Sequence, residues 1–305
     1  MDAAYPEQLR EEVERYLQQM RFSEASITAG LEEAMRYSLL AGGKRIRPVL
    51  ALATAHAVGL EREDAMPLAA TLELIHTYSL IHDDLPAMDD DALRRGRPTC
   101  HVAFGEDVAI LAGDGLYAEA FKHLLSTPRS APERVLEAAV ELASATGVNG
   151  MVGGQYVDVS ASAPAGAEGL RRLHELKTGR LIGASVVCVL SLADVRGPAT
   201  IAFRRFAAEL GVLFQIVDDI LDVIGTDLAL GKPQGSDERH GKRTYVSEFG
   251  IDRAKELAAE SHRTACSALA QAALAVAAEQ PAGASRQAVT SELEQITDFI
   301  YTRTS

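Results

Sequence analysis

The chain has 305 residues, 47% of them apolar and only 5% aromatic, enough apolar mass for a large buried core and too much for a disordered chain. Six lysines and 24 arginines stand against 43 acidic residues, and the resulting net charge of −13 argues against general nucleic-acid binding, which needs cations to displace condensed counterions. The longest run free of charged side chains, residues 142–157, is sixteen residues long and broken by glycines, short of the roughly 20 apolar residues of a membrane helix.

The N-terminus, Met1-Asp2 followed by Glu7, Glu11 and Glu12, fits no signal or transit peptide, so the expectation is a soluble cytoplasmic protein. Cys100, Cys188 and Cys266 are far apart, odd in number and without metal-ligand spacing, and read as buried thiols. In chain order, helical periodicity predicts helices near 7–20, 24–40, 48–59, 63–84, 107–126, 132–147, 168–193, 199–224, 250–279 and 285–303. Their breaks carry Gly42-Gly43, Thr127-Pro128, Gly197-Pro198 and the Pro281–Gly283 stretch, all ordinary stop signals. Strand alternation is almost absent and no repeat or linker divides the chain. The prediction is one all-α domain of about ten helices spanning 1–305.

Two segments, 85–106 and 225–246, have little apolar pattern, and each follows a helix that ends in aspartates. Before the first, Ser79-Leu-Ile-His82-Asp83-Asp84-Leu-Pro86-Ala-Met-Asp89-Asp90-Asp91 places five Asp in nine residues. Asp89 lies six residues past Asp83, some 240° away on a continuous helix, but Pro86 should unwind the chain and swing Asp89 back. Before the second, Leu210, Leu213, Phe214, Val217, Ile220 and Leu221 repeat at helical spacing, while Gln215, Asp218, Asp219 and Asp222 share the other face. A lone acidic stripe of this kind is most simply a solvated face. Two such clusters, 135 residues apart and built of short Asp without intervening Lys or Arg, suit hard divalent cations such as Mg²⁺.

Such a site needs an anion to complete it. Candidate cations are Lys44, Arg45 and Arg47 ahead of a helix expected to begin at Pro48, Arg94 and Arg95 after the first cluster, Lys177 in mid-chain, and Lys232 and Lys242 in the second loop. No P-loop explains them, because five residues separate Gly225 from Gly231 and Pro233 follows Lys232. A diphosphate bridged to aspartates by Mg²⁺ would use both sets of charges.

These motifs together resemble the short-chain trans-isoprenyl diphosphate synthases, most closely the bacterial farnesyl diphosphate synthases. The resemblance runs from about residue 27 to 303 through Gly-Gly-Lys-Arg-Ile-Arg-Pro (42–48), the Asp-rich 78–91, Arg-Arg-Gly-Arg-Pro-Thr-Cys-His (94–101), Gly-Gly-Gln-Tyr-Val-Asp (153–158), Lys-Thr-Gly (177–179), Phe-Gln-Ile-Val-Asp-Asp-Ile-Leu-Asp (214–222) and Gly-Lys-Pro-Gln-Gly-Ser-Asp (231–237). It implies an all-α fold around a deep central cavity, usually a homodimer, that joins isopentenyl diphosphate to an allylic diphosphate with three Mg²⁺. It implies Asp83, Asp89 and Asp218 as metal ligands, with Asp84, Asp219 and Asp222 supporting them or binding through water. It assigns the allylic diphosphate to Arg94, Lys177, Thr178, Gln215 and Lys232, with Lys242 beside them, and isopentenyl diphosphate to Lys44, Arg47, His76 and Arg95. Tyr78, with Ser79 next to it, would set chain length and make the fifteen-carbon farnesyl product the expected one. Leu213, Arg180 and Arg243 depart from the family pattern, and Leu213 could alter the cavity.

Three other readings fit less of the chain. A terpene cyclase carries an Asn/Asp…Ser/Thr…Glu motif where Asp-Asp-Ile-Leu-Asp stands. Glu73-Leu-Ile-His76 matches one half of a di-iron bundle motif, but no second Glu-x-x-His exists. A non-catalytic helical partner subunit would not need both Asp clusters.

Overall fold

The computed structural model describes residues 5–127, 129–225, 241–279 and 290–303. It begins with α1 (Glu7–Gln19), a 3₁₀ turn (Ser26–Thr28) into α2 (Ala29–Leu39), α3 (Ile46–Ala57) and α4 (Arg62–Asp83). A two-residue hairpin, β1 (Leu93–Arg94) with β2 (Arg97–Pro98), leads to α5 (Cys100–Phe104), α6 (Glu106–Ser126), α7 (Pro132–Thr146) and α8 (Met151–Val159). Then come α9 (Gly166–His174), a π-helical turn (Glu175–Gly179), α10 (Arg180–Leu192), α11 (Gly197–Ile224), α12 (Tyr245–Phe249), α13 (Ile251–Glu279) and α14 (Ser291–Thr302).

The all-α prediction holds. α3 is buried on nearly every face, from Ile46 to Ala55, as expected of a helix apolar all round, and it packs between α4 and α10. α11 lies along α13 and sinks Phe203, Phe206, Leu210, Leu213 and Ile220 completely. Each such side chain contributes roughly 1.5–3 kcal/mol of burial. Proline opens α7 and α11, where its missing N–H costs nothing.

Several boundaries differ from the sequence prediction. α3 starts two residues before Pro48, which then sits within the first turn, where no intrahelical N–H bond is lost. α8 was not predicted, because Gly153 and Gly154 each disfavour helix by about 1 kcal/mol and only packing restores it. Segment 85–106 is not irregular throughout: it holds the hairpin and α5. Arg95 (φ 54°) and Gly96 (φ 72°) form its turn, and two positive φ angles match the twist that a two-residue hairpin prefers. Residues 226–240 of the second loop, and Lys232 with them, lie outside the described residues.

Phe214 was predicted to belong to the apolar core and instead lines the central cavity. Leu213, expected to shape that cavity, is fully buried away from it. Cys100 and Cys188 are buried thiols as predicted, whereas Cys266 is only half-buried. The Glu73 of the Glu-x-x-His match is buried and accepts a hydrogen bond of 2.6 Å from Arg45, so it serves an internal ion pair.

Candidate active site

A cavity of about 580 Å³ opens between α4, α8, the π turn and α11. Asp83 and Asp218 line it from α4 and α11, so the two clusters do face one space. α4 ends at Asp83, the chain turns through Pro86, and the Asp89 N–H donates to the Asp83 carbonyl at 2.8 Å. Asp89 returns to Asp83, as expected from the break at Pro86. Burial, reinforced by the Asp89 charge, pushes Asp83 up to about 6 despite Lys177, Arg94 and Lys242 nearby.

The second cluster is not a solvated face. Asp218 is exposed to the cavity, but Asp219 and Asp222 are 1% and 4% exposed. Asp219 accepts from Gln215 Nε2 at 2.7 Å and from the Tyr245 N–H at 2.7 Å. Gln215 in turn accepts from Thr178 Oγ1 at 2.9 Å, so one buried carboxylate fixes a chain from α12 through α11 to the π turn. Asp84 is also engaged: Arg94 grips it bidentately, with N···O distances of 2.5–2.9 Å, in a cleft beside the cavity.

The basic residues divide by position. Arg47, His76, Arg94 and Arg95 line the cavity from α3, α4 and the hairpin, Lys177 and Thr178 from the π turn. Arg47 is buried and its Nε has no hydrogen-bond partner among the described residues; burial brings it down to about 10, against the pull of Glu73 and Asp218. A buried guanidinium without an anion is costly unless a ligand completes it. Burial, then Arg47, Arg95 and Arg94, hold the His76 imidazole well below its ordinary range, so it is neutral. The hairpin turn sends neighbouring side chains apart: Arg94 to Asp84 and Arg95 to the Gly42 carbonyl. Arg45 is turned inward by a left-handed backbone (φ 53°) and pairs with Glu14 and Glu73. Lys44 is exposed, with Nζ 5.0 Å from the centre of the Phe299 ring, and does not line the cavity. Lys242 donates to Asp89 at 2.8 Å.

Tyr78 also reaches the cavity, although an ideal helix rotates it about 140° from Asp83. It packs edge-on against Tyr117 of α6, ring centroids 5.0 Å apart, and Ser79 lines the same wall.

Sequence reasoning missed what positions Lys177. Asp158 of α8 accepts its ammonium at 2.5 Å. A Cβ on Gly154 would come within 2.3 Å of the Lys177 backbone nitrogen, and one on Gly211 within 2.8 Å of Gly179 Cα. The π turn is therefore pressed from α8 and α11 at two positions where only glycine fits. Gln155, with both amide atoms buried and unpaired among the described residues, points to the same wall. The motif Gly-Gly-Gln-Tyr-Val-Asp was visible, but its roles depended on a helix whose propensity is poor.

Carboxylates gathered in one cavity, one of them pushed toward neutrality mainly by burial, and facing a buried guanidinium, suit an oxygen-seeking cation with an anionic ligand.

Comparisons agree with this geometry. The structure superimposes on a geranyltransferase from Helicobacter pylori complexed with magnesium and isoprenyl diphosphate with a TM-score of 0.84, at 30% identity, covering 99% of this chain and 100% of that one. A Zymomonas mobilis FPP/GFPP synthase gives a TM-score of 0.81 at 33% identity, covering 97% and 96%. In sequence, the chain is 49% identical over 238 residues to a chloroplastic geranylgeranyl pyrophosphate synthase of Capsicum annuum, covering 77% of this chain and 64% of that protein. It is 46% identical over 228 residues to the farnesyl diphosphate synthase of Bacillus subtilis, covering 74% and 77%. The chain thus spans a little under two thirds of the plant relative's length. Residues 28–279 match the polyprenyl synthetase family, and the chain belongs to it.

Proposed function

We propose that the protein is a trans-prenyltransferase that joins isopentenyl diphosphate to dimethylallyl and geranyl diphosphates. The observation that carries this reading is that Asp83 and Asp218 line one cavity together with Arg47, Arg95 and Lys177. Asp83, Asp89 and Asp218 would hold Mg²⁺, three ions in all, with Asp222 buried behind them and Asp84 and Asp219 holding Arg94 and Gln215 in place. Bound Mg²⁺ supplies electrostatic stabilisation to the departing diphosphate.

The chain's own groups do the rest. Lys177, Thr178, Gln215, Arg94 and Lys242 orient the allylic diphosphate; Lys232, outside the described residues, belongs to the same set. Arg47, Arg95 and neutral His76 receive isopentenyl diphosphate, with Lys44 at the rim. Met88, Met151, Val152 and Phe214 give the cavity an apolar lining that keeps water from an allylic cation. Release of diphosphate from isopentenyl plus dimethylallyl diphosphate tests the activity, and no release would reject it.

The product we infer is farnesyl diphosphate, with Tyr78 as the floor. Geranylgeranyl diphosphate is the second reading, favoured by the plant relative. Tyr78→Ala should move output from fifteen carbons to twenty or more, read by chromatography of the dephosphorylated product. An unchanged fifteen-carbon product would place the floor elsewhere.

A homodimer in the cytoplasm completes the proposal. Leu136 and Val140, one turn apart on α7 and 62% and 59% exposed, lie with exposed Ile110 and Leu111 of α6 among the apolar groups such an interface would cover. Light scattering after gel filtration tests it, and a monomer at micromolar concentration would reject it. Among the described residues no helix is long and apolar enough to cross a membrane.

A further inference from the structure

Away from the cavity, α13 and α14 bring together three side chains that prenyl transfer does not use. His262 and Cys266 stand four residues apart on α13 and share one face; Asp298 comes from α14. One ligand atom from each lies within 4.8 Å of the other two. His262 Nε2 is 2.8 Å from Asp298 Oδ1 and 3.6 Å from Cys266 Sγ. The imidazole is held by stacking on Tyr301, ring centroids 4.5 Å apart and planes 22° from parallel.

A histidine–aspartate hydrogen bond alone accounts for only part of this. The thiol and the carboxylate converge on the same ring nitrogen, which can donate one proton or accept one, not serve both. Burial, then the Asp298 and Glu294 carboxylates, push the Cys266 thiol up. A tetrahedral ion with bonds of about 2.3 Å to sulfur and about 2.0 Å to nitrogen holds those two atoms roughly 3.5 Å apart, close to the spacing present. Asp298 would need to withdraw by about 0.6 Å to reach ligand spacing. Its side chain is 51% exposed and free to do so, and that exposure provides an entry path and room for a water as fourth ligand.

We propose that His262, Cys266 and Asp298 form a site for a divalent transition-metal ion, with Zn²⁺ the best fit. A thiolate and an imidazole select a borderline-soft ion over Mg²⁺, so this site and the aspartate cavity would take different metals. On binding, the Cys266 S–H proton leaves to solvent, the His262 proton passes from Nε2 to Nδ1 through solvent, sulfur–metal and nitrogen–metal bonds form, and Asp298 exchanges its hydrogen bond for a bond to the metal; no electrons are transferred. The ion would tie α14 to α13. α14 carries Phe299, which packs on Tyr5 at 4.7 Å and under Lys44, and Arg303 follows it, 6.0 Å from the Phe214 ring. Metal at this staple would therefore steady the helix whose following residue, Arg303, reaches the Phe214 ring of the cavity wall.

The test is titration of the full chain with Co²⁺, in excess Mg²⁺ and without diphosphate. The expected result is one equivalent bound with a near-ultraviolet thiolate-to-cobalt charge-transfer band, displaced by Zn²⁺. Cys266→Ser should abolish the band, His262→Gln should weaken binding at least ~10-fold, and Asp83→Ala should leave both intact. Zn²⁺ should also raise the thermal midpoint of the parent protein and not that of Cys266→Ser, whose fold circular dichroism checks. Absence of the band, or a band unchanged in Cys266→Ser, overturns the proposal, and neither outcome bears on prenyl transfer.

Discussion

The two aspartate clusters reach the same cavity by different means. The second lies within an unbroken helix: α11 continues through Asp218, Asp219 and Asp222, and helical periodicity alone puts them on one side. The first lies where a helix stops, and its geometry depends on a turn closed by the Asp89 N–H on the Asp83 carbonyl. Their electrostatics differ too. Asp83 is raised to about 6 by burial, whereas Asp219 is buried but satisfied by Gln215 and the Tyr245 N–H. A carboxylate that faces a cavity and one that holds a neighbour can have the same residue type. Only their partners distinguish them.

The largest effects should come from removing the cavity-lining ligand of each cluster. Asp83→Ala and Asp218→Ala should each keep the helical circular-dichroism spectrum and lose at least ~10²–10³ in turnover, the typical cost of one preorganised electrostatic contact. Near-normal activity in either variant would break the symmetry between the clusters.

Next is the π turn. Gly154→Ala drives a Cβ into the Lys177 backbone and should cost about 1–3 kcal/mol in denaturant unfolding while raising KM for the allylic substrate. A normal KM with full stability would show that the α8 contact is slack.

The basic residues sharpen the division further. Arg47→Ala should weaken isopentenyl diphosphate by about tenfold or more, since a buried charge-assisted bond contributes roughly 1.5–3 kcal/mol, and Lys44→Ala should weaken it less because Lys44 stays at the rim. Lys177→Ala should act mainly on the allylic substrate. Separate KM values for the two substrates decide the matter, and an inverted pattern would mean the two pockets are exchanged.

The smallest effect concerns stability without metal. The folded pKa of Asp83 lies above its ordinary 3.8, so the folded state binds a proton more tightly than the unfolded state. Its contribution is present at low pH and lost as pH rises from about 4 through about 6. In chelator, Asp83→Asn should raise the thermal midpoint at about pH 7.5 and not at about pH 4, and added Mg²⁺ should shrink the gain. An equal gain at both pH values would mean Asp83 is not the titrating group.

The sequence by itself determined the helical class, the two acidic clusters and the basic motifs, because helical periodicity and side-chain type are local properties. It also allowed Asp89 to swing back toward Asp83, since Pro86 cannot continue a helix, but the turn that closes it is tertiary detail. It left α8 invisible, because two glycines weaken the helix, and one of them, Gly154, is required by a backbone contact with Lys177, far along the chain. By charge and helical pattern it did not separate Arg45 from Arg47, two residues apart in a common motif, and only the resemblance singled out Arg47: a left-handed φ turns Arg45 into the Glu14–Glu73 pair and leaves Arg47 facing the cavity. Nor could it join His262 and Cys266 to Asp298, 32 or more residues away. Which carboxylate is satisfied, which cation is unpaired and which thiol meets an imidazole were settled only by tertiary structure, because each depends on a partner that chain-local patterns do not encode.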